Sequence, residues 1–298
     1  MGRLDGKVAI VTGGGAGIGE AIVLKLASEG ARVVVAGLAD DPIEDVARTA
    51  SGIGPGAVAC PGDLGEDGSA ERCVELALSE FGRLDVLVNN AATEADRMCP
   101  AEQMPVSELD RLFRANARSV VLMTRAALPA LRESRGAVLT AGSTAGVSGI
   151  PNMAIYGATK GFATSFTLGV AAEVAADGVR AVVVVPGPTD TGQTRPEAGP
   201  HTPEAAQTIV ESTIVGRRAT VEEIANVYAF LASDEASFVT GVVWVVDGGV
   251  GISRGLPGRK ATDGPPPVTL PVRHSLDGFD HAPKDRPGQT GGGGEPVG

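Results

Sequence analysis

Apolar and polar positions along the chain alternate between two periods. Val8-Ala-Ile-Val-Thr12 is a short buried-strand pattern, and the Gly-rich run from Gly13 to Gly19 follows it. Residues 20–29 read as a helix, Gly30-Ala-Arg ends it, and Val33-Val-Val-Ala36 is a second strand. This is a strand–helix–strand unit of about 30 residues. The pattern recurs downstream. Strands are expected at 57–60, 84–88, 137–141, 179–185 and 242–246, and helices at 70–81, 107–131, 154–177 and 221–232. Apolar strands alternating with helices imply one α/β domain of the Rossmann type, doubly wound, with a seven-stranded parallel sheet and helices on both faces. The almost pure Val run at 179–185 is expected at the centre of that sheet, buried on both sides. Ligands of such folds bind at the carboxyl ends of the strands, so chemical residues are expected just after strand runs.

The periodicity stops after Gly251. Residues 254–298 hold 10 Gly and 8 Pro and keep neither period. The chain therefore divides into a dinucleotide-binding catalytic domain at 1–253 and a Gly/Pro-rich tail at 254–298, expected to be disordered or an arm on the oligomer. A net charge of −11 with few aromatics argues against a nucleic-acid partner. No apolar run is long enough to span a membrane. Cys60, Cys73 and Cys99 form no Cys-x-x-Cys pair and no cluster with His, so neither a disulfide framework nor a metal site is expected. With no signal-peptide core near Met1, a cytoplasmic protein is expected.

The run Thr12-Gly-Gly-Gly-Ala-Gly-Ile-Gly19 sits between a strand and a helix. Glycine removes the Cβ that would block a diphosphate, and free amides at a helix start face its charge. A dinucleotide site is expected there. In such a site the second strand ends in an acid that holds the adenosine ribose. Here it ends Val35-Ala36-Gly37; Asp40 and Asp41 come slightly late, and no Arg stands at 37 or 38 to clamp a 2′-phosphate. The choice between NAD and NADP leans to NAD on the charge of those two Asp. Tyr156 and Lys160 are four apart and share a helix face. An ammonium beside a phenol favours phenolate, so Tyr156 is the expected acid/base of an alcohol–carbonyl interconversion, its pKa lowered by Lys160. Ser143, just after the fifth strand, can donate a hydrogen bond to the substrate oxygen.

Thr12-Gly-x-x-x-Gly-x-Gly19, Asn89-Asn-Ala91, Asn116, Ser143, Tyr156-x-x-x-Lys160 and Pro186-Gly187, with the Ser-to-Tyr gap, resemble the short-chain dehydrogenase/reductase family. The resemblance covers about residues 4–250 and leaves the tail outside. It implies an NAD(P)-dependent oxidoreductase that interconverts a secondary alcohol and a ketone. Catalytic roles then fall to Asn116, Ser143, Tyr156 and Lys160. Lys160 would also bind the nicotinamide ribose, and Asn116 would hold a water leading from Lys160 to solvent. Cofactor contacts are implied at Gly13, Gly15, Ala16, Gly17, Ile18, Gly19 and Gly37, and at Asp63 and Leu64 on the adenine side. Asn90 and Ala91 would line the adenosine ribose; Pro186, Gly187, Thr189 and Thr191 would border the nicotinamide and its phosphates. Ala92 stands where the family has Gly. Dehydration or epimerisation on the same fold, or a non-catalytic cofactor-binding protein, are the alternatives. Specificity is expected from the loop at 190–215, with Glu94, Thr144, Ile150 and Met153 as further walls. The long helices at 107–131 and 154–177 are expected to pair copies of the chain into a dimer or tetramer.

Overall fold

The computed structural model describes residues 2–191 and 203–253. The tail at 254–298 and residues 192–202 of the loop expected to set specificity lie outside the described residues. Seven strands form one parallel sheet in the order β3-β2-β1-β4-β5-β6-β7. They are β1 (Val8–Thr12), β2 (Arg32–Gly37), β3 (Ala57–Pro61), β4 (Val86–Asn89), β5 (Ala137–Ala141), β6 (Arg180–Pro186) and β7 (Val242–Val246). Alternate residues of each strand point to opposite faces. Ala9, Val11, Val33 and Val35 enter one apolar layer, with helices α1 (Gly17–Ser28), α2 (Ile43–Ile53) and α9 (Val221–Ala232). Val8, Ile10, Val34 and Ala36 enter the other, with α3 (Ser69–Phe81), α5 (Ser119–Ser134) and α7 (Ala154–Val174). The short helices α4 (Val106–Phe113), α6 (Thr144–Val147), α8 (Pro203–Ser212) and α10 (Val250–Ser253) complete the order.

Four sequence expectations change. The Val run of β6 is buried on both faces, with Val182–Val185 inaccessible, but it is the penultimate strand. Neighbouring strands on both edges and helices on both faces suffice to bury it. The expected helix at 107–131 is two helices, α4 and α5, joined by a π-turn at Arg114–Arg118 whose Ser119 N–H reaches Arg114 O. The helix expected to reach 177 leaves the α ladder at Val174 and ends in a 3-10 turn. Helices α2 and α8 have no counterpart in the sequence reading, α8 falling in the expected loop.

Candidate active site

The residues expected to carry chemistry follow the strand ends or lie on the π-turn and α7. β1 ends at Thr12, whose hydroxyl ties it to the end of β4 through three bonds. Its Oγ1 donates to Val88 O (3.2 Å) and accepts from Asn90 N and Ala91 N (2.9 Å each). Asn90 Nδ2 donates in turn to Thr12 O (3.0 Å) and Gly13 O (3.3 Å). The end of β4 is thus fastened against the Gly-rich turn. Gly13 has φ +62°, and a Cβ there would stand 2.8 Å from Ala91 Cα, so the close approach requires glycine. Gly19 packs against Gly13 O in the same way. Helix α1 starts at Gly17, and Ala16 before it has no side chain to cap the helix. Gly17, Ile18 and Gly19 therefore present open amides, the arrangement that binds a phosphate. Thr191 lies over this helix start, its Cγ2 3.4 Å from where a Gly17 Cβ would be. A cradle without Cβ atoms and an uncapped helix fit a dinucleotide diphosphate.

An acid from further along the chain, Asp41, returns to the end of β2. Leu38 N donates to Asp41 Oδ2 (3.0 Å), and a Cβ at Gly37 would stand 3.0 Å from that same oxygen. A Cβ at Gly15 would come within 3.1 Å of Asp41 Cβ. Asp41 can fold back between the strand end and the Gly-rich turn because neither position carries a side chain.

After β3, Leu64 is buried and Asp63 is engaged by protein. Asp63 Oδ1 accepts from Gly65 N (2.8 Å), and Oδ2 accepts from Arg114 Nε and Nη2 (3.1 and 3.0 Å). Arg114 also reaches Glu66 (2.6 Å), while Arg118 donates to Gly65 O and Asp67. The loop after β3 is thereby stapled to the π-turn that carries Asn116. On the far side, Gly187 N donates to Val246 O (3.0 Å), and a Gly187 Cβ would stand 2.5 Å from Asp247 Cα. Pro186 pairs with Val246, and buried Thr189 bridges to Ala219, its Oγ1 donating to Gly187 O (3.1 Å).

Asn116 is a strut. Its Oδ1 accepts from Thr93 N (2.7 Å), and its Nδ2 donates to Thr93 O (2.8 Å) and Thr159 Oγ1 (3.1 Å). Both amide hydrogens are spent on fixing the β4 loop to α7, one residue before Lys160. Ser143 follows β5 and caps α6, its Oγ accepting from Ala145 N (3.2 Å). The same hydroxyl hydrogen-bonds the Tyr156 phenol. Lys160 is buried, with Nζ donating to Ala141 O (3.0 Å).

The electrostatics run against one expectation. The pKa of Tyr156 is shifted up, not down. The phenol lies deep among protein atoms, and burial raises its pKa above the ordinary tyrosine value. The Glu94 carboxyl raises it further, and only the Ser143 bond opposes them. Burial likewise lowers Lys160 to about 8, with Glu94 working against the shift. Glu94 itself is raised, by burial first, and partly held down by Lys160. Glu94 belongs electrically to the Tyr–Lys pair, beyond the wall position given to it from sequence. Two structural partners escaped the sequence reading. Thr12 was legible only as part of the Gly motif, although a hydroxyl closing a buried strand was a signal for it. Arg111, which clamps residues 93–96, had no local signal because its partners are distant along the chain.

A family model described as enoyl-(acyl carrier protein) reductase matches residues 13–251. The cyclopentanol dehydrogenase of Comamonas sp. (strain NCIMB 9872) is 35% identical over 250 residues, covering 84% of this chain and 98% of the relative. Among solved structures, a mutant short-chain dehydrogenase/reductase of Serratia marcescens aligns with a TM-score of 0.76 at 32% identity, over 83% of this chain and 99% of that one. A 3-ketoacyl-(acyl-carrier-protein) reductase from Brucella melitensis complexed with NADH aligns with a TM-score of 0.74 at 35% identity, over 84% of this chain and all (100%) of that one. The chain belongs to the short-chain dehydrogenase/reductase family, and it is an oxidoreductase that works with a nicotinamide cofactor.

Proposed function

We propose that the protein interconverts a small secondary alcohol and its ketone, with Tyr156 as the proton donor and acceptor. The observation that carries this is the convergence of Tyr156, Ser143 and Lys160 beside an uncapped, Cβ-free cradle at the carboxyl edge of the sheet. The bound nicotinamide would supply or accept hydride. Ser143 Oγ orients the substrate oxygen, and Tyr156 Oη gives it a proton or takes one. At neutral pH the phenol is protonated, which is the form that serves ketone reduction; oxidation requires phenolate and gains with rising pH. Asn116 acts as a positioning residue for α7, and a water path past it from Lys160 remains part of the proposal.

The dinucleotide would lie across Gly13, Gly15, Ala16, Gly17, Ile18 and Gly19, with Asp63 and Leu64 toward the adenine. Asn90 and Ala91 would line the adenosine ribose, while Pro186, Gly187, Thr189 and Thr191 would border the nicotinamide half. Asp41 over Gly37 supports NAD over NADP, because a carboxylate at the end of β2 accepts ribose hydroxyls and repels a 2′-phosphate. The protein is expected to assemble as a homo-oligomer. Phe162 on α7 is exposed beside Phe113 and Phe166, and edge strand β7 leaves Trp244 and Val245 half open to solvent. Among the described residues no helix is long and apolar enough to cross a membrane. All three cysteines are buried and free, which supports a reducing, cytoplasmic setting.

The test is a panel of secondary alcohols and ketones followed at the nicotinamide absorbance with NAD(H) and NADP(H). Tyr156→Phe is expected to bind NADH with a Kd within about threefold of the native protein and to lose at least about 10³-fold in kcat, in the range of a positioned acid/base. Turnover retained in that variant refutes the role of Tyr156.

A further inference from the structure

The cleft beside Tyr156 has an uneven lining. Ala95, Met98, Met104 and Met153 make it apolar, and three of the five methionines of the chain stand there. Thioether side chains adapt to the shape of a hydrocarbon body. Into this apolar wall Glu94 introduces a single carboxyl group on the same cleft as the Tyr156 phenol. Its Oε2 is inaccessible to solvent and has no hydrogen-bond partner in the protein. A buried carboxyl oxygen without a partner costs free energy that a bound donor would recover.

Glu94 is also held firmly. Arg111 Nη2 donates to Glu94 O (2.8 Å) and to Asp96 Oδ1 (3.0 Å), and Nη1 donates to Thr93 Oγ1 (3.1 Å). Glu108 fixes Arg111 in turn through Nε (2.7 Å). Asn116 grips Thr93 from the other side. The main chain on both sides of Glu94 is clamped, which fixes where its side chain enters the cleft. Opposite, Asn152 adopts a left-handed φ of 66°, a conformation Asn tolerates, in the turn that delivers Met153 and then Tyr156 to the cleft.

We propose that Glu94 is the substrate-orienting residue, accepting a hydrogen bond from a second hydroxyl next to the reacting carbinol, and that the substrates are compact alicyclic or aliphatic vicinal diols and their hydroxyketones. The inference rests on the alcohol–ketone reading above. The apolar lining takes the carbon skeleton, Tyr156 and Ser143 take the reacting oxygen, and Glu94 takes its neighbour. The raised pKa of Glu94 accords with a carboxyl kept from water, and Lys160 nearby keeps its charged form accessible. A substrate whose own carboxylate or phosphate falls beside Glu94 is disfavoured by like charge.

The experiment compares trans-cyclohexane-1,2-diol with 2-methoxycyclohexanol, which has similar bulk but no second donor, and with cyclohexanol. In the native protein kcat/KM for the diol is expected to exceed that for the methyl ether by tenfold or more, since a site built to bond a hydroxyl rejects the analogue that lacks it. Glu94→Ala is expected to bring that ratio to within about twofold, mainly through a rise in the KM of the diol, as loss of a binding contact does. Glu94→Gln keeps an acceptor oxygen in the same volume and is expected to retain most of the preference. Thermal melting and NADH fluorescence check that each variant is folded and holds dinucleotide. Diol binding to the protein–NADH complex, read by the same fluorescence, is expected to weaken in Glu94→Ala in step with the KM. Equal use of diol and ether by the native protein, or an unchanged ratio in Glu94→Ala, overturns the inference and leaves the alcohol–ketone reading intact. Failure to oxidise any member of an extended alcohol panel overturns both.

Discussion

Thr12→Val is the most informative single change at this site, because it keeps shape and removes only hydrogen bonds. The hydroxyl uses its donor on Val88 O and both acceptor positions on Asn90 N and Ala91 N. Valine fills the same volume, so no cavity opens. At a residue only 2% exposed, Ala91 N loses its partner, while Asn90 N and Val88 O keep each other (3.1 Å). An orphaned buried donor costs about 1–3 kcal/mol. Ala91 is partly accessible and recovers some water contact, so the expected loss is about 1–2 kcal/mol. Thr12→Ser is the control: it keeps all three bonds and removes one methyl group, worth about 1 kcal/mol. Urea unfolding followed by circular dichroism, at fixed protein concentration, measures both. NADH affinity provides a second reading, since the two amides belong to the strand end beside the cradle; it is expected to fall further in Val than in Ser. If Val is as stable as Ser, or more so, the hydroxyl is not the fastening at this corner.

Three further outcomes follow from the same geometry. Asp41→Ser is expected to shift the ratio of NADP to NAD affinity toward NADP by tenfold or more, about 1.4 kcal/mol; an unchanged ratio in titration calorimetry removes Asp41 from cofactor choice. Lys160→Met is expected to abolish turnover yet raise unfolding free energy at pH 7 by about 1–2 kcal/mol, since burial lowers Lys160 to about 8 and that penalty exceeds the lost bond to Ala141 O. The penalty is complete below pH 8, where the lysine is charged folded and unfolded. It fades as pH rises toward 10.5, so the advantage of the variant must shrink over that interval. Glu29→Gln is expected to destabilise by about 1 kcal/mol at pH 7. The Arg3 bond first, then Lys25, holds Glu29 at about 2; its contribution is present above its unfolded value of 4.5 and is lost as pH falls toward 2. Urea curves for native and variant protein that stay equally far apart at pH 7 and pH 2.5 refute the assignment.

The parallel sheet was legible because β-strands covered on both faces have a continuous apolar signature, as in Val8–Thr12 and the β6 run. Position within the sheet was not, since β6 looks the same wherever two strands flank it. Helix α2 carries a helical apolar set at Ile43, Val46, Ala47 and Ala50, but Asp, Pro and Gly on either side obscured it. The π-turn escaped the hydrophobic period because the eight-residue α4 before it buries only Leu112, too little to show a change of phase. At the site, the four-residue spacing put Tyr156 and Lys160 on one helix, and both lie on α7. It misjudged their coupling, since desolvation and the distant Glu94 are consequences of packing between elements. Asp41 shows the same limit: its charge was visible in the sequence, but its return onto Gly37 depends on side chains that are absent at two other positions.

The π-turn at Arg114–Arg118 has a consequence for how this protein can vary. It holds one residue more than an α-helical turn would, and each α-helical residue advances the chain by about 100° around the axis. Deleting a single codon there would let the ladder close as ordinary α-helix and rotate one flank against the other. Asn116 would leave Thr93 and Thr159 together, and Arg114 and Arg118 would leave the loop after β3. No core side chain need be lost for this to happen. Functional homologues are therefore expected to change the letters of this segment while preserving its count, and an in-frame deletion here would disable the enzyme more thoroughly than many substitutions of its buried residues.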